Sequence, residues 1–309
     1  MDRALSSARG ADVAKLLRRT PNLQKLTLGF SGHMSTYVDC LGKPLLDTLC
    51  ALKDVEEFTH TAMTASRQTD FGLHSLLRLA ASWPLHCIAG GLECTEDVSG
   101  IPPVTCPLKS VTLEACTANL DDLALLFAGS ATSLKTLEIW SIGPGSLDTP
   151  LAVVLPALES LKLGGCNHPS PAFLRGTLST APKLRTLQLG GDPDRFWRVR
   201  TALTTALVAA DSAPRGRKRT RVQGYPVLKH LAYPALEQLV GAKENEDAEP
   251  DAEAWTNIGE VELKSVAAAR GIVASHAPDL IYKGEWNLRR IAVKTREGRA
   301  DGEGKRQGG

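Results

Sequence analysis

Seven cysteines and seven histidines are the residues best suited to nucleophilic or metal chemistry in this chain, and their spacing assembles neither. No cysteines fall in a CxxC pair, so the chain spells out no zinc cage and no redox dithiol. Cys50, Cys87 and Cys106 stand inside apolar stretches, which suits reduced, buried thiols in an intracellular protein. His86 and Cys87 are adjacent, but neighbours in an extended strand point to opposite faces, which rules out a catalytic dyad. His60 and His86 fall on successive strand-like segments, yet two imidazoles are fewer ligands than a metal site requires. There is no Walker loop, GxGxxG, GxSxG or HExxH. The pairs Gly90-Gly91, Gly164-Gly165 and Gly190-Gly191 follow apolar phrases. Without further glycines and a lysine they read as tight turns leaving strands rather than phosphate loops. The expectation is a protein that is not an enzyme and takes no cofactor and no metal.

Charge narrows the field further. Thirty-six basic and 34 acidic residues leave a net charge of +2, so no global field draws the chain to nucleic acid or a membrane. One local exception is Arg215, Arg217, Lys218, Arg219 and Arg221, within PRGRKRTR (214–221). This run reads either as a nuclear-import patch or as a solvated basic loop. An acidic run, KENEDAEPDAE (243–253), follows and could neutralise it. Both segments are poor in apolar residues, so mobile loops are expected at about 212–225 and 243–254, with a disordered tail at 294–309. The first residues lack the apolar core of a signal peptide, and no window approaches ~18 consecutive apolar residues. A cytoplasmic or nuclear location is expected.

The elements that must position any site come from a repeat. A Pro or Ser introduces Leu-x-x-Leu-x-Leu at Pro21–Leu28, Pro107–Leu113, Ser133–Ile139, Pro156–Leu163 and Pro182–Leu189. Weaker copies are Val55-x-x-Phe58, Leu85-x-x-Ile88, Pro234-x-Leu236-x-x-Leu239, Ile258-x-x-Val261-x-Leu263 and Leu288-x-x-Ile291-x-Val293. The anchors Ile88, Val111, Leu137, Leu161 and Leu187 are 23, 26, 24 and 26 residues apart. Such a period is that of a stacked repeat, in which one copy cannot bury its leucines without its neighbours. Within each phrase, alternation puts the last two leucines on one face of a short strand. Return segments then carry helical signals: Asp121-Asp122 ahead of LALLFAG, Pro171 opening AFLRGTLST, and Pro44 opening LLDTLCAL. The run 195–211 places Phe196, Val199, Leu203, Leu207 and Ala210 at helical spacing.

These phrases resemble the leucine-rich-repeat superfamily, and most closely the repeat halves of fungal F-box proteins. The resemblance covers roughly residues 11–293, with the clearest motifs between 107 and 190. It implies an α/β solenoid over 1–293, curved, with parallel strands on the concave side and irregular helices on the convex side. It also implies a protein partner and, only where an upstream F-box exists, presentation of a client to ubiquitin ligase components. No F-box is recognisable: the first repeat phrase already occupies Pro21–Leu28, and Pro44–Cys50 with Trp83 has the wrong spacing for one. Regulation of a GTPase and a purely structural, degenerate repeat are the alternatives.

Candidate site residues are the strand positions that alternate with the leucines. The best set is Thr112, Glu114, Thr136, Glu138, Trp140, Lys162 and Gln188. Lys25, Thr27, Ser110, Ser160, Thr186, Gln238, Glu260, Glu262 and Lys264 occupy the same register. A tryptophan among small polar residues suits an interface anchor; the alternative is that Trp140 lies over Gly164 and fills space.

Overall fold

The computed structural model describes residues 12–30, 42–62, 71–93, 98, 100–116, 119–141, 145–165, 169–190, 193–208, 225–233 and 262–276. Its centre is one all-parallel sheet. The strands are β1 (Lys25–Phe30), β2 (Glu57–Ala62), β3 (Phe71–Gly72), β4 (Cys87–Glu93), β5 (Ser110–Cys116), β6 (Thr136–Ser141), β7 (Ser160–Gly165), β8 (Thr186–Leu189), β9 (His230–Tyr233) and β10 (Val273–His276). The order is β1-β2-β4-β5-β6-β7-β8-β9-β10, with the two-residue β3 pairing only with β4. Sequence order and spatial order therefore coincide, as in a coil that advances one strand per turn. A helix at 12–17 (α1) precedes β1; parallel neighbours need a crossover, and helices supply it: Gly42–Ala51 (α2), Leu73–Ser82 (α3), Leu123–Phe127 (α4), Asp148–Val154 (α5), Pro171–Arg175 (α6), Pro193–Val208 (α7) and 262–269 (α8).

The register follows the leucines. Leu26, Phe58, Ile88, Val111, Leu137, Leu161, Leu187 and Leu231 are paired from strand to strand, so the anchors form one row. From Val111 to Leu231 each is 1% exposed or less. Leu113, Ile139, Leu163 and Leu189 make a second buried row two residues on. Nearly all buried apolar side chains belong to one continuous core.

Each strand entry is tied to the next by a shared carbonyl. The oxygens of Gln24, Glu56, His86, Lys109, Lys135, Glu159 and Arg185 each accept two consecutive amides of the following coil, at 2.7–3.2 Å. Side chains add to this where α4 returns. Buried Ser130 accepts from the Leu108 amide at 3.0 Å and donates to the Cys106 carbonyl at 3.2 Å. Ser133 donates to the Leu108 carbonyl at 2.9 Å. Gly129 has no room for a side chain, since a Cβ would sit 2.4 Å from the Thr105 backbone.

Several return segments follow their sequence signals. Pro171 opens α6, and the preceding Ser170 caps it by accepting the Phe173 amide at 3.1 Å. Pro44 lies in the first turn of α2, and α7 buries Val199, Leu203 and Leu207. The Asp121-Asp122 pair departs from expectation. Neither carboxylate caps α4; Asp121 instead accepts the Ser146 amide of the next coil at 3.4 Å.

Three further expectations need correction. The coil after Leu187 is formed by Pro226-Val227-Leu228-x-x-Leu231-x-Tyr233, so Leu231 rather than Leu239 is the anchor. Leu263, expected in a strand, lies in α8, where it and Ala267 are buried at helical spacing; Glu262 and Lys264 share that helix and leave the sheet face. The glycine pairs at 90–91 and 164–165 lie inside β4 and β7, not after them. Outside the described residues fall the basic patch Arg215, Arg217, Lys218, Arg219 and Arg221, the acidic loop 243–254, Leu239, Gln238, Glu260, the Leu288–Val293 phrase and the tail 294–309. Among the described residues no helix is long and apolar enough to cross a membrane.

The extra sequence between β8 and β9 is anchored at its far end. Tyr225, with a positive φ of 56°, donates its buried hydroxyl to the Leu174 carbonyl at 2.9 Å, and burial pushes its pKa up. Its own carbonyl accepts from the Arg270 guanidinium at 3.3 Å, which ties α6 to the coil ending in α8.

Candidate functional site

Because successive side chains alternate, the residues between the leucines form the opposite, polar face of the sheet. One row across it reads Thr27, Thr59, Ala89, Thr112, Glu138, Lys162, Gln188, Ala232 and Ser275. The row before it reads Lys25, Glu57, Cys87, Ser110, Thr136, Ser160, Thr186, His230 and Val273. Thr112, Thr136, Glu138, Lys162 and Gln188 are thus brought onto one surface, all half-buried. Glu114 is placed in β5 opposite Gly91, and a register shift between Leu113 and Cys116 separates it from the Trp140 position.

The central feature is a tryptophan held by charge. Trp140 donates its indole N–H to Glu138 Oε1 at 2.9 Å. The other carboxylate oxygen, Oε2, accepts from Lys162 Nζ at 3.1 Å. Beneath the ring lies Gly164, where an added Cβ would come within 2.0 Å of Trp140 Cε3 and Cζ3. Trp140 therefore lies over Gly164, half-buried, rather than standing free. Both sequence readings meet here: the ring fills the space above a glycine, and its outer side stays on the polar face beside an ion pair. That pair fixes the orientation of the ring, because both carboxylate oxygens are engaged.

A second charged contact lies at the other end of the face. Lys25 Nζ meets Glu57 Oε2 at 2.5 Å, and this hydrogen bond raises the lysine pKa. Cys87 follows in the same row. It is half-buried on the polar face rather than enclosed in the core, and partial desolvation raises its pKa, so it is held as a thiol. Cys106 is buried as expected, and burial pushes its pKa to about 11.

His60 is the residue whose role the sequence concealed. It pairs with Leu28, in the second core row, and is 3% exposed. Burial lowers its pKa to about 4, so it is neutral at ordinary pH. Gly90 makes its site possible: a Cβ there would lie 2.5 Å from the His60 carbonyl oxygen and 2.9 Å from its Cβ. His86 lies away from it at a strand entry, 3.9 Å from Glu56. Among the described residues no group of three His, Cys, Asp or Glu side chains could hold a metal ion. Trp83 closes α3, donating to the Leu49 carbonyl at 2.9 Å and packing edge-on against Phe58 with ring centroids 5.6 Å apart. Its place is in the core, between coils.

Compared with protein-family models, with curated proteins and with solved structures, the chain matches none.

Proposed function

We propose that the chain is a leucine-rich-repeat solenoid that binds a protein partner across the polar face of its sheet, taken as the concave face. The site centres on Trp140, and the role is that of a scaffold, with client recognition for a ubiquitin ligase as its specific form. The observation that carries this reading is the Trp140–Glu138–Lys162 arrangement within a row of dissimilar side chains on a sheet stacked in register. Tryptophan is the residue most enriched at interface hot spots, and a ring already immobilised loses little entropy on binding. The flanking Thr112, Thr136 and Gln188 offer hydrogen bonds without the desolvation cost of further charges.

Site-specific photocrosslinking tests the reading. A benzoylphenylalanine placed at Thr112, Thr136 or Gln188 is expected to trap one common protein in cells. The same probe at the exposed Thr149 of α5, on the helical side, is expected to trap none. Trapping from position 149 with none from the sheet face would overturn the proposal.

A further inference from the structure

The strand entries carry a charge asymmetry that is independent of the tryptophan cluster. The residues whose carbonyls form the shared ladder, Gln24, Glu56, His86, Lys109, Lys135, Glu159 and Arg185, occupy one rim of the sheet, and Lys229, whose carbonyl accepts the Val273 amide, continues it. In the first three coils this rim has no permanent cation. In the five coils from β5 to β9, four of the five positions are cationic, and Lys109, Lys135, Arg185 and Lys229 are all exposed. Lys183, also exposed, stands two residues before Arg185. The one carboxylate in this stretch, Glu159, is held by Lys135 at 3.4 Å. A net positive ridge persists on a chain whose total charge is only +2.

We propose that this rim, from Lys109 to Lys229, is a second binding surface, and that it takes an extended acidic peptide segment of a partner. The proposal rests on the reading of the chain as a protein-binding solenoid but uses a different surface. Geometry favours a peptide. Parallel strands lie about 4.8 Å apart, so four steps from β5 to β9 span about 19 Å. An extended peptide covers that distance in about six residues at 3.3 Å each. Lys109, Lys135, Arg185 and Lys229 then fall at uneven steps, with Glu159 filling the gap. A peptide can match that gap with a neutral or basic residue, whereas a phosphodiester strand presents charge at every step. Single-stranded nucleic acid also calls for aromatic stacking platforms, and no Phe, Tyr or Trp occupies the rim row.

The test is fluorescence anisotropy of the full chain with a fluorescein-labelled twelve-residue peptide of alternating Glu and Ser, beside an oligothymidylate of twelve nucleotides. The peptide is expected to bind, and to bind more weakly in 200 mM than in 50 mM NaCl, since screening shortens the reach of the ridge. The quadruple variant Lys109→Ala, Lys135→Ala, Arg185→Ala, Lys229→Ala should lose at least tenfold in affinity. A control with the same charge change elsewhere, Lys15→Ala, Arg19→Ala, Lys53→Ala, Arg78→Ala, should lose less than threefold. Should the quadruple variant fold poorly, Glu159→Gln replaces it: removing the lone carboxylate is expected to tighten binding several-fold. Equal loss in the control, no response to Glu159→Gln, or preference for the oligonucleotide would each overturn the proposal. Crosslinking from Thr112 that persists while wild-type chain ignores the peptide removes the rim and leaves the sheet-face reading standing.

Discussion

Gly164→Ala isolates the contact on which the polar face is built. The added methyl would lie 2.0 Å from two ring carbons of Trp140, where carbon atoms settle at about 3.5–4.0 Å. A flat indole cannot yield by that amount while keeping its 2.9 Å hydrogen bond to Glu138. The ring must swing out. The cost is one hydrogen bond to a charged acceptor, about 1.5–3 kcal/mol when buried, taken at the low end because the Glu138 side chain is 23% exposed. With the ring's packing on the backbone added, about 2 kcal/mol is expected, or a fall in Tm of about 4–8 °C. Calorimetry and urea melts read the stability, and tryptophan emission reads the ring. The spectrum should shift to the red in Gly164→Ala, and the shift should vanish when both parent and variant carry Trp140→Phe. In a Trp140→Ala background, Gly164→Ala should cost at least about 1 kcal/mol less, which is the signature of direct contact. An unchanged Tm and emission, or strict additivity, would refute the argument.

Three other outcomes follow from the same structure. Leu161→Asp and Leu187→Asp put a carboxylate into fully buried positions of the anchor row and are each expected to cost more than about 4 kcal/mol in denaturant melts. Ser130→Ala removes both the acceptor for the Leu108 amide and the donor to Cys106, so about 1–3 kcal/mol should be lost in the same melts. His60 gives a pH dependence: the unfolded chain binds its proton near pH 6.5, whereas the folded site resists protonation down to about pH 4. Stability from this residue is therefore full above about pH 6.5 and declines as pH falls to about 4, by up to about 3 kcal/mol. His60→Leu, matching its neighbour Leu28, should flatten that part of the curve.

Much of the sheet was legible because the core of a stacked coil is written in period-two alternation inside a period of about 25. The pairings of Val111, Leu137, Leu161 and Leu187 follow directly from their spacing. Even Val55-x-x-Phe58 and Leu85-x-x-Ile88 are true strand entries. The coil anchored at Leu231 went unread for a clear cause. Pro234 looked like the opening proline of a phrase, while the real phrase, Pro226 to Tyr233, ends in an aromatic residue instead of leucine. Leu263 misled because Val261-x-Leu263 fits an alternating pattern, whereas Leu263 and Ala267 fit a helix equally well and tertiary packing decides between them. β10 was not anticipated because its residues are mostly exposed and carry no apolar alternation.

Of the candidate site, the choice of face could be read, but the lock on Trp140 could not. That Trp140 follows a core isoleucine put it on the polar side. Its pairing with Gly164 depends on strand register, and its bond to Glu138 on a rotamer, neither of which is encoded locally. The same limit applies to the rim. Lys109, Lys135, Arg185 and Lys229 are separated by 26, 50 and 44 residues, so their alignment into a ridge emerges only once the coils are stacked.

A single substitution tests that stacking most directly, because every surface described above depends on it. Cys87 and Ser110 are paired across β4 and β5 on the polar face, at a strand spacing that brings Cα atoms within disulfide range. Under mild oxidation Ser110→Cys should yield a 87–110 disulfide by peptide mass mapping. Thr136→Cys, one strand further at about 9.6 Å, lies beyond reach of Cys87 and should not form one. A 87–136 bond, or none at 110, would contradict the register and with it both proposed binding surfaces.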